Sequence, residues 1–469
     1  MFKSKVKERR IFTNRRRVRR RFSWLGAIAS VALFLLVLEL LTRIFIDVSG
    51  NRSKFAEAEV GTEQTEAYEL NFVTPEFSST DNNQDSLLAR STISVGYELV
   101  GNQQSEYWQI NQQGFREFEP VLLTKPQDEI RIFLLGGSTA FGYGNSGNAA
   151  TISAQLEKRL QQRLQQQRTS PLLYKPDILP LDQEEKQKYL AKPSKIKSGN
   201  YRVINAAVPG YASGNELAQI ALQILKYKPD LIVVLDGYVD LMLTSEQEAT
   251  QVPPNDYLAG KSNSIETYLK QLIVPLQNNS YLAKVAQNYW LDSQETNAQV
   301  DFILKEQTSN LVKHLPPNKT ELQNRVDRYI EHQKQILSLS AAARIPLVVA
   351  IQPEITGRNP RQLTDTEGEI ATELGRTYIK QVRESYPAFT EAAAKLAQAY
   401  PQNIKMVDLY KLTDKYPSPS FIDAIHLNEA ANEKVAEQLY YAISGFSKMQ
   451  VIPKQQAPLG NREQVKERR

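Results

Sequence analysis

The chain contains no cysteine, which excludes disulfide bonds, thiolate-bound zinc and a cysteine nucleophile. Histidine is nearly as scarce, with three residues in 469: His314, His332 and His426. That number leaves too few ligands for a histidine-rich metal site, and we expect no metal. Any chemistry that uses a histidine as general base must therefore use one of these three.

The net charge of +5 is distributed unevenly along the chain. Residues 1–21 contain eleven Lys or Arg and the single acid Glu8, so this segment carries about +10 and the rest of the chain about −5. A basic head on a mildly acidic body indicates membrane topology rather than nucleic-acid binding. We therefore expect no nucleic-acid partner, although the arginine-rich run 15–21 keeps that alternative open.

A long apolar stretch follows the basic head. Residues 22–38 include no charged side chain, and the run continues to residue 46. About 20 apolar residues cross a bilayer, so the sequence predicts a transmembrane anchor over 22–46. The positive-inside rule places the basic tail, 1–21, in the cytoplasm and the rest of the chain outside it. A cleaved signal peptide is the alternative, and the absence of an A-x-A-like site disfavours it.

The remaining chain divides by composition into a linker, a body and a tail. Residues 47–90 are polar and weakly patterned, which predicts a linker. The body spans 91–445, with a surface insertion at 169–200 and a long mixed insertion at 242–320 that is either a cap over the site or a second surface feature. Residues 446–469 are predicted to be a charged tail. Residues 93–118 alternate like short strands with a turn at Gly114, which predicts a small antiparallel appendage.

Within the body, apolar runs alternate with helical patterns. The predicted strands are 132–135, 201–206, 231–235, 347–351 and 404–408. The predicted helices are 151–167, 215–226, 321–342, 371–400 and 429–443. Short, wholly apolar runs are typical of strands that are buried on both faces. Their alternation with helices predicts an α/β fold, a three-layer α/β/α domain with a parallel central sheet.

Ser138 and His426 are the candidate reacting residues. Ser138 follows two glycines at the end of the first predicted strand, the sheet edge at which open α/β sheets bind ligands. Asp423 precedes His426 by three residues, so its carboxylate can accept the Nδ1–H and leave Nε2 to take a proton from a serine. The simple alternative is a helix-start aspartate beside an incidental histidine. His314 and His332 lie in polar surroundings and are expected to be solvated.

Gly210, in the segment VINAAVPGYASGNEL, is a candidate oxyanion donor. It follows a predicted strand and a proline, so its backbone N–H can point into the same crevice as that of Ser138. Two such donors would stabilise the oxyanion of a tetrahedral intermediate. A glycine that serves only a turn is the alternative.

Four segments together resemble the signature blocks of the SGNH (GDSL-like) hydrolase family: GGSTAFG, VPGYASG, LDGYVDL and DAIH, in that order. The preceding INQQGFREFEP resembles the lead-in segment of bacterial, membrane-anchored members. The resemblance implies an SGNH-hydrolase or flavodoxin-like fold. It also implies that Ser138 is the nucleophile, Gly210 an oxyanion donor, Asp423 the orienting acid and His426 the base.

The third block departs from the family pattern G-x-N-D. Val239 stands where the family has the asparagine that completes the oxyanion hole, and an isopropyl group donates no hydrogen bond. Losing one such donor typically costs about 10²–10³ in kcat. Gln352, just past a predicted strand end, is the candidate substitute. Otherwise the enzyme is slow or inactive.

These observations predict a serine esterase, or an acyltransferase, anchored in the inner membrane and facing the periplasm. The expected substrates are acylated glycans, lipids or small esters of the cell envelope. The alternative is a catalytically impaired SGNH-like module that binds glycan or organises an envelope complex. No cofactor is expected, because the G-x-G-x-x-G of Gly142, Gly144 and Gly147 begins seven residues after the strand rather than at the turn.

Overall fold

The structure is a computed structural model that describes residues 64, 67–73, 86–92, 94–247, 311–414, 416 and 418–456. The predicted anchor at 22–46 and most of the insertion at 242–320 lie outside these residues. Among the described residues, no helix has both the length and the apolar character that crossing a bilayer requires.

The described residues form short peripheral strands, a central sheet and flanking helices. The strands are β1 (Leu70–Val73), β2 (Leu87–Thr92), β3 (Gly96–Leu99), β4 (Gln103–Gln104), β5 (Gln109–Ile110), β6 (Glu129–Gly136), β7 (Ile178–Leu179), β8 (Asn200–Asn205), β9 (Leu231–Asp236), β10 (Leu347–Ile351), β11 (Ile404–Asp408) and β12 (Lys454–Gln455). The α-helices are α1 (Ser138–Phe141), α2 (Ile152–Thr169), α3 (Gln183–Leu190), α4 (Ser213–Gln219), α5 (Tyr238–Met242), α6 (Lys319–Ala342), α7 (Asp365–Ala399) and α8 (Glu429–Ser444). The 3₁₀ turns are Asn148–Ala150, Pro171–Leu173, Leu225–Tyr227, Leu311–His314, Ile355–Gly357, Pro360–Gln362 and Ser447–Met449, and Ile220–Ile224 is a π-helix.

The central sheet is five-stranded and parallel, with the order β8-β6-β9-β10-β11. If these five strands alone are numbered along the chain, their order across the sheet is 2-1-3-4-5, which is the flavodoxin-like arrangement. The first and third strands, β6 and β9, are neighbours, so the topological switch point lies at their carboxyl ends. The residues that follow these two strands include Ser138 and Val239, which places both predicted blocks at the edge where such folds bind ligands.

Helices cover both faces of the sheet, because alternate strand residues point to opposite sides. Ile132 and Leu134 belong to a core cluster shared with the apolar faces of α2 and α8. Phe133 and Leu135 belong to a second cluster, shared with α6 and α7. The predicted three-layer α/β/α architecture is confirmed, and all five predicted core strands are present.

The helix ends differ from the prediction where caps set them. α7 begins at Asp365 rather than at residue 371, because Thr364 and Glu367 form a capping box at its start. Gly375 interrupts that helix with φ +78°, a conformation that favours glycine. The predicted helix at 215–226 is instead α4 followed by the π-helix and a 3₁₀ turn.

Part of the predicted linker packs on the folded body instead of extending into solvent. β1 pairs in parallel with β2, and Tyr68 and Leu70 are buried in the same cluster as the central strands. The predicted tail is also partly folded. Phe446 and Met449 are buried there, and β12 pairs with β7 of the surface insertion. Their polar composition did not indicate that these segments fold, because each of them buries only a few side chains.

The predicted antiparallel appendage is present in part. β4 pairs with β5 as expected, whereas β3 pairs antiparallel with β2, which precedes the predicted segment and also pairs in parallel with β1. Gly114 has φ +82°, and its N–H bonds the carbonyl of Asn111 at 3.1 Å, which forms the predicted turn.

Candidate active site

Ser138 begins α1, separated from β6 by one residue, on a turn that requires a glycine at position 136. Gly136 has φ +149°, and a Cβ added there would lie 2.2 Å from the Leu235 carbonyl oxygen of the neighbouring strand. The two backbones therefore approach too closely for any side chain at this position. The result is a sharp strand-to-helix turn with Ser138 at the carboxyl edge of the sheet, where the sequence predicted it.

Asp423 and His426 form a hydrogen-bonded pair in the loop before α8. Asp423 Oδ2 lies 2.6 Å from His426 Nδ1, while Asp423 Oδ1 accepts the backbone N–H groups of Ile425 and His426 at 2.9 and 2.8 Å. Burial raises the pKa of Asp423, but the charge of His426 and these hydrogen bonds outweigh burial and bring the pKa below its ordinary value. Asp423 is therefore an ionised acceptor that orients the imidazole through Nδ1.

The loop that contains this pair is closed on itself and bound to the body. Phe421 and Leu427 form an antiparallel bridge, and the Ile422 N–H bonds the His426 carbonyl at 3.0 Å. Below the bridge, the carboxylate of Glu367 accepts the backbone N–H of Ser420 at 2.9 Å. These contacts fix where the imidazole lies, because they hold the backbone on both sides of it.

The turn that carries the predicted nucleophile Ser138 (the nucleophile turn) and the loop that carries His426 (the histidine loop) are in direct contact. Thr139 Oγ1, next to Ser138, donates to the carbonyl of Ile425, next to His426, at 3.2 Å. Asn145 Nδ2 bonds the carbonyl of Leu427 at 3.4 Å. These bonds bring together the two segments that carry Ser138 and His426, and both residues are buried: Ser138 is 2% exposed and His426 0%.

The second and third blocks meet at the same turn. A Cβ added at Gly137 would lie 3.3 Å from the Tyr211 carbonyl oxygen and 3.7 Å from Val239 Cγ2. Gly210, the residue before Tyr211, is buried with φ +80°. The turn before Ser138 therefore borders the Gly210 loop on one side and the isopropyl group of Val239 on the other.

Those four segments are the parts of one family pattern. A family model for GDSL-like lipases and acylhydrolases matches residues 132–439. The chain belongs to this GDSL-like family.

The chain is similar to several solved structures, two of which are described as esterases. The acetyl xylan esterase AlAXEase is 11% identical, with a TM-score of 0.31 over 67% of this chain and 100% of its own. TesA is 13% identical, with a TM-score of 0.29 over 67% of this chain and 97% of its own. A variant of Axe2, an acetyl-xylooligosaccharide esterase from Geobacillus, is 13% identical, with a TM-score of 0.33 over 68% and 96%. No curated protein matches the sequence.

Gln352 is bonded to Thr139, the residue after Ser138. Its Nε2 donates to Thr139 Oγ1 at 3.1 Å, and its backbone N–H and carbonyl bond Asp236 and Tyr386. The hydroxyl of Thr139 in turn donates to the histidine loop. Gln352 thus helps to connect the two halves of the site, and its assignment as an oxyanion donor stays a prediction.

His332, expected to be solvated, is half-buried and hydrogen-bonded to another helix. Ser213 Oγ donates its single proton to Asp240 Oδ1 at 2.6 Å, so His332 Nδ1, 2.8 Å from the same oxygen, must be the donor in that contact. Asp240 directly follows Val239, and Ser213 begins α4 after the Gly210 loop. This chain of bonds connects the second and third blocks behind the site. The periodicity of α6 gave no sign of it, because the partners come from another helix.

Buried carboxyl groups lie behind the third block. Asp236 ends β9 and accepts from Tyr329 and Gln333 at 2.9 and 2.8 Å. Burial, followed by the charge of Asp240, raises the pKa of Asp236, and burial followed by Asp236 raises the pKa of Glu216 well above its usual range. Within the described part of the chain, no group of three or more His, Asp or Glu could hold a metal ion.

Sequence reasoning missed Tyr143 and Arg116. The ring of Tyr143 stacks on His426, with centroids 4.4 Å apart and planes 20° from parallel. Arg116, in the lead-in segment, is buried, and its Nη1 donates to the carbonyls of Phe141 and Gly142 at 3.1 and 2.8 Å. Tyr143 could have been found only as an aromatic residue near the nucleophile, since stacking across 283 positions leaves no local pattern.

Proposed function

We propose that the protein is a serine ester hydrolase that cleaves acyl esters through Ser138. The Asp423–His426 pair is the observation that supports this most directly. The bond between the two side chains is short and charge-assisted. The loop that carries them is bonded to the turn of Ser138, because the carbonyl of Ile425 accepts from Thr139. A buried serine beside an oriented imidazole is the arrangement that activates a hydroxyl nucleophile.

In this mechanism Ser138 Oγ attacks the acyl carbonyl and His426 Nε2 takes the hydroxyl proton. Asp423 stabilises the imidazolium that forms. The backbone N–H groups of Ser138 and Gly210 are the proposed donors to the oxyanion. The tetrahedral intermediate then expels the alcohol, which receives the proton from His426. Water, or a sugar hydroxyl in a transferase, then attacks the acyl-enzyme. His426 takes the proton of this attacking hydroxyl and returns it to Ser138 Oγ as the acyl group leaves.

Covalent labelling tests this proposal. The full-length protein in detergent, incubated with a fluorophosphonate probe, is expected to be modified at Ser138 and to hydrolyse p-nitrophenyl acetate. Ser138→Ala should abolish both. Ser146→Ala, which changes a serine eight residues away that bonds Glu429, should be labelled normally. Wild-type protein that is not labelled at Ser138, or ester turnover that survives Ser138→Ala, would contradict the proposal.

Val239 favours a second candidate, a catalytically impaired module that binds glycan or organises an envelope complex. Its isopropyl group borders the nucleophile turn, where the family places the side-chain oxyanion donor. Such a module would bind an acylated ligand without turnover. Labelling at Ser138 together with negligible ester turnover would favour this candidate.

We further propose that residues 22–46 anchor the protein in the inner membrane and place the GDSL-like domain in the periplasm. The basic head and the uncharged run 22–38 support this orientation. The full-length protein should resist alkaline carbonate extraction. Replacing both Leu35 and Leu36 by Arg, each costing about 3 kcal/mol at a span centre, should release it. Release of the unmodified protein by carbonate would contradict the anchor.

A further inference from the structure

Tyr143 contacts both proposed reacting residues. Its backbone N–H donates to the carbonyl of Ser138 at 3.0 Å, closing the turn at the end of α1. Its ring lies against the imidazole of His426, 4.4 Å between centroids and nearly parallel. One residue is thus bonded to the nucleophile through its main chain and stacked on the base through its side chain.

The position of Tyr143 is set by groups outside the histidine loop. The ring of Tyr68 packs on it at 4.9 Å between centroids. Arg116 binds the carbonyl of Gly142, the residue before it, and also donates to the hydroxyl of Tyr68 at 2.9 Å. These contacts come from Tyr68, which precedes β1, and from the lead-in segment, so groups outside the loop that carries His426 help to set the position of the Tyr143 ring.

We propose that Tyr143 is a positioning residue for the general base, with its ring stabilising the imidazolium form of His426 that arises as Ser138 attacks. This inference rests on the proposed function. Asp423 holds the imidazole at its Nδ1 edge, and the Tyr143 ring packs on one face of it. Together these contacts restrain the imidazole from rotating or tilting away from the nucleophile. The negative π face of an aromatic ring attracts a cation, and the attraction grows in a site closed to water.

The stacking contributes mainly when the imidazole is charged. The substrate binds while His426 is neutral, and the charge appears in the transition state. Losing the ring should therefore lower kcat and leave KM nearly unchanged. It should also move the acid limb of the kcat/KM profile to lower pH, because an imidazolium that has lost its π partner gives up its proton more readily.

The variants leave the charged groups near His426 unsubstituted. Asp423 is the carboxylate at its Nδ1. Arg116 lies behind Phe141 and Tyr68, with its guanidinium carbon 4.8 and 5.3 Å from those ring centroids. Glu429, at the start of α8, bonds Ser146. A shift that follows the Tyr143 ring alone is thus separable from a change in these charges.

The test compares Tyr143→Leu with Tyr143→Phe in the full-length protein. We expect Tyr143→Leu to reduce kcat about 3–10-fold and to lower the acid-limb midpoint by about 0.5–1 pH unit. Tyr143→Phe keeps the ring and should retain the wild-type profile. Tyr227→Leu is the matched control, since Tyr227 is similarly buried but belongs to the core cluster on the other sheet face. The Tyr227→Leu variant should be less stable than the wild type, and the pH profile of its kcat/KM should be unchanged.

A second measurement does not depend on activity. With only three histidines, ¹³C-histidine labelling allows the titration of His426 to be followed directly by NMR, and Tyr143→Leu should lower its midpoint by the same amount. An unchanged midpoint and kcat in Tyr143→Leu, with Ser138 still labelled, would overturn this inference alone. The same shift in Tyr143→Phe would overturn it too, since the hydroxyl would then be responsible. Absence of Ser138 labelling in the wild type would instead overturn the proposed function.

Discussion

Asp423→Asn is expected to lower kcat/KM for ester hydrolysis by about 10⁴-fold with little change in fold. The geometry gives the reason. Asp423 Oδ1 accepts two backbone N–H groups, so an asparagine would keep its carbonyl oxygen there and turn its NH₂ toward His426 Nδ1. The imidazole would then carry its proton on Nε2 and could not accept one from Ser138.

The measurement is kcat/KM with p-nitrophenyl acetate, together with the rate of fluorophosphonate labelling. Both should fall, since both require an activated Ser138. Asp177→Asn is the control, because Asp177 pairs with Lys195 at the surface of the 169–200 insertion. Its loss should leave both rates unchanged. Retention of more than a tenth of wild-type activity in Asp423→Asn would show that Asp423 does not orient the base.

Val239→Asn is expected to raise kcat by about 10²–10³-fold, the effect typical of one oxyanion donor. Val239 Cγ2 lies 3.7 Å from the Cβ position at Gly137, so the amide of an asparagine, which extends one bond beyond Cγ, would reach the space beside the nucleophile turn. The oxyanion forms there only in the transition state, and a donor aimed at it should raise kcat more than it changes KM.

Val239→Ala distinguishes the effect of a new hydrogen-bond donor from the effect of removing the isopropyl group. Alanine makes room without adding an N–H, so its kcat should stay near the wild-type value. Rates are to be normalised to the fraction of Ser138 that the fluorophosphonate labels. An unchanged kcat in Val239→Asn would mean that another donor already stabilises the oxyanion, and Gln352→Met would then be expected to lower kcat.

The two outcomes also distinguish the two proposed functions. A wild-type enzyme with slow turnover that Val239→Asn accelerates is an esterase with an incomplete oxyanion hole. A protein that gains nothing from the asparagine, and whose Ser138 reacts with the probe but not with esters, fits the binding module better. The attacking half of the site is the same in both cases.

Several errors of sequence reasoning have one physical origin. His332 was expected in solvent because its neighbours on α6 are polar, yet its Nδ1 bonds Ser213 of α4. Tyr68 lies in a polar stretch, yet it packs on Tyr143. In both cases the partner belongs to an element far away in the chain. Local polarity describes which neighbours a residue has in sequence and not which ones it meets after folding.

The sequence by itself determined where the five parallel strands lie, because short, mostly apolar runs that alternate with helical patterns are typical of such a sheet. It also predicted Ser138, Asp423 and His426 as the reacting residues, since their order and spacing match a family pattern. The tertiary structure alone decided how they are held: Thr139 to Ile425 across 286 positions, Val239 against the nucleophile turn and Tyr143 on His426. Side chains that meet only after the layers pack leave no periodicity in the chain, and these contacts depend on that packing.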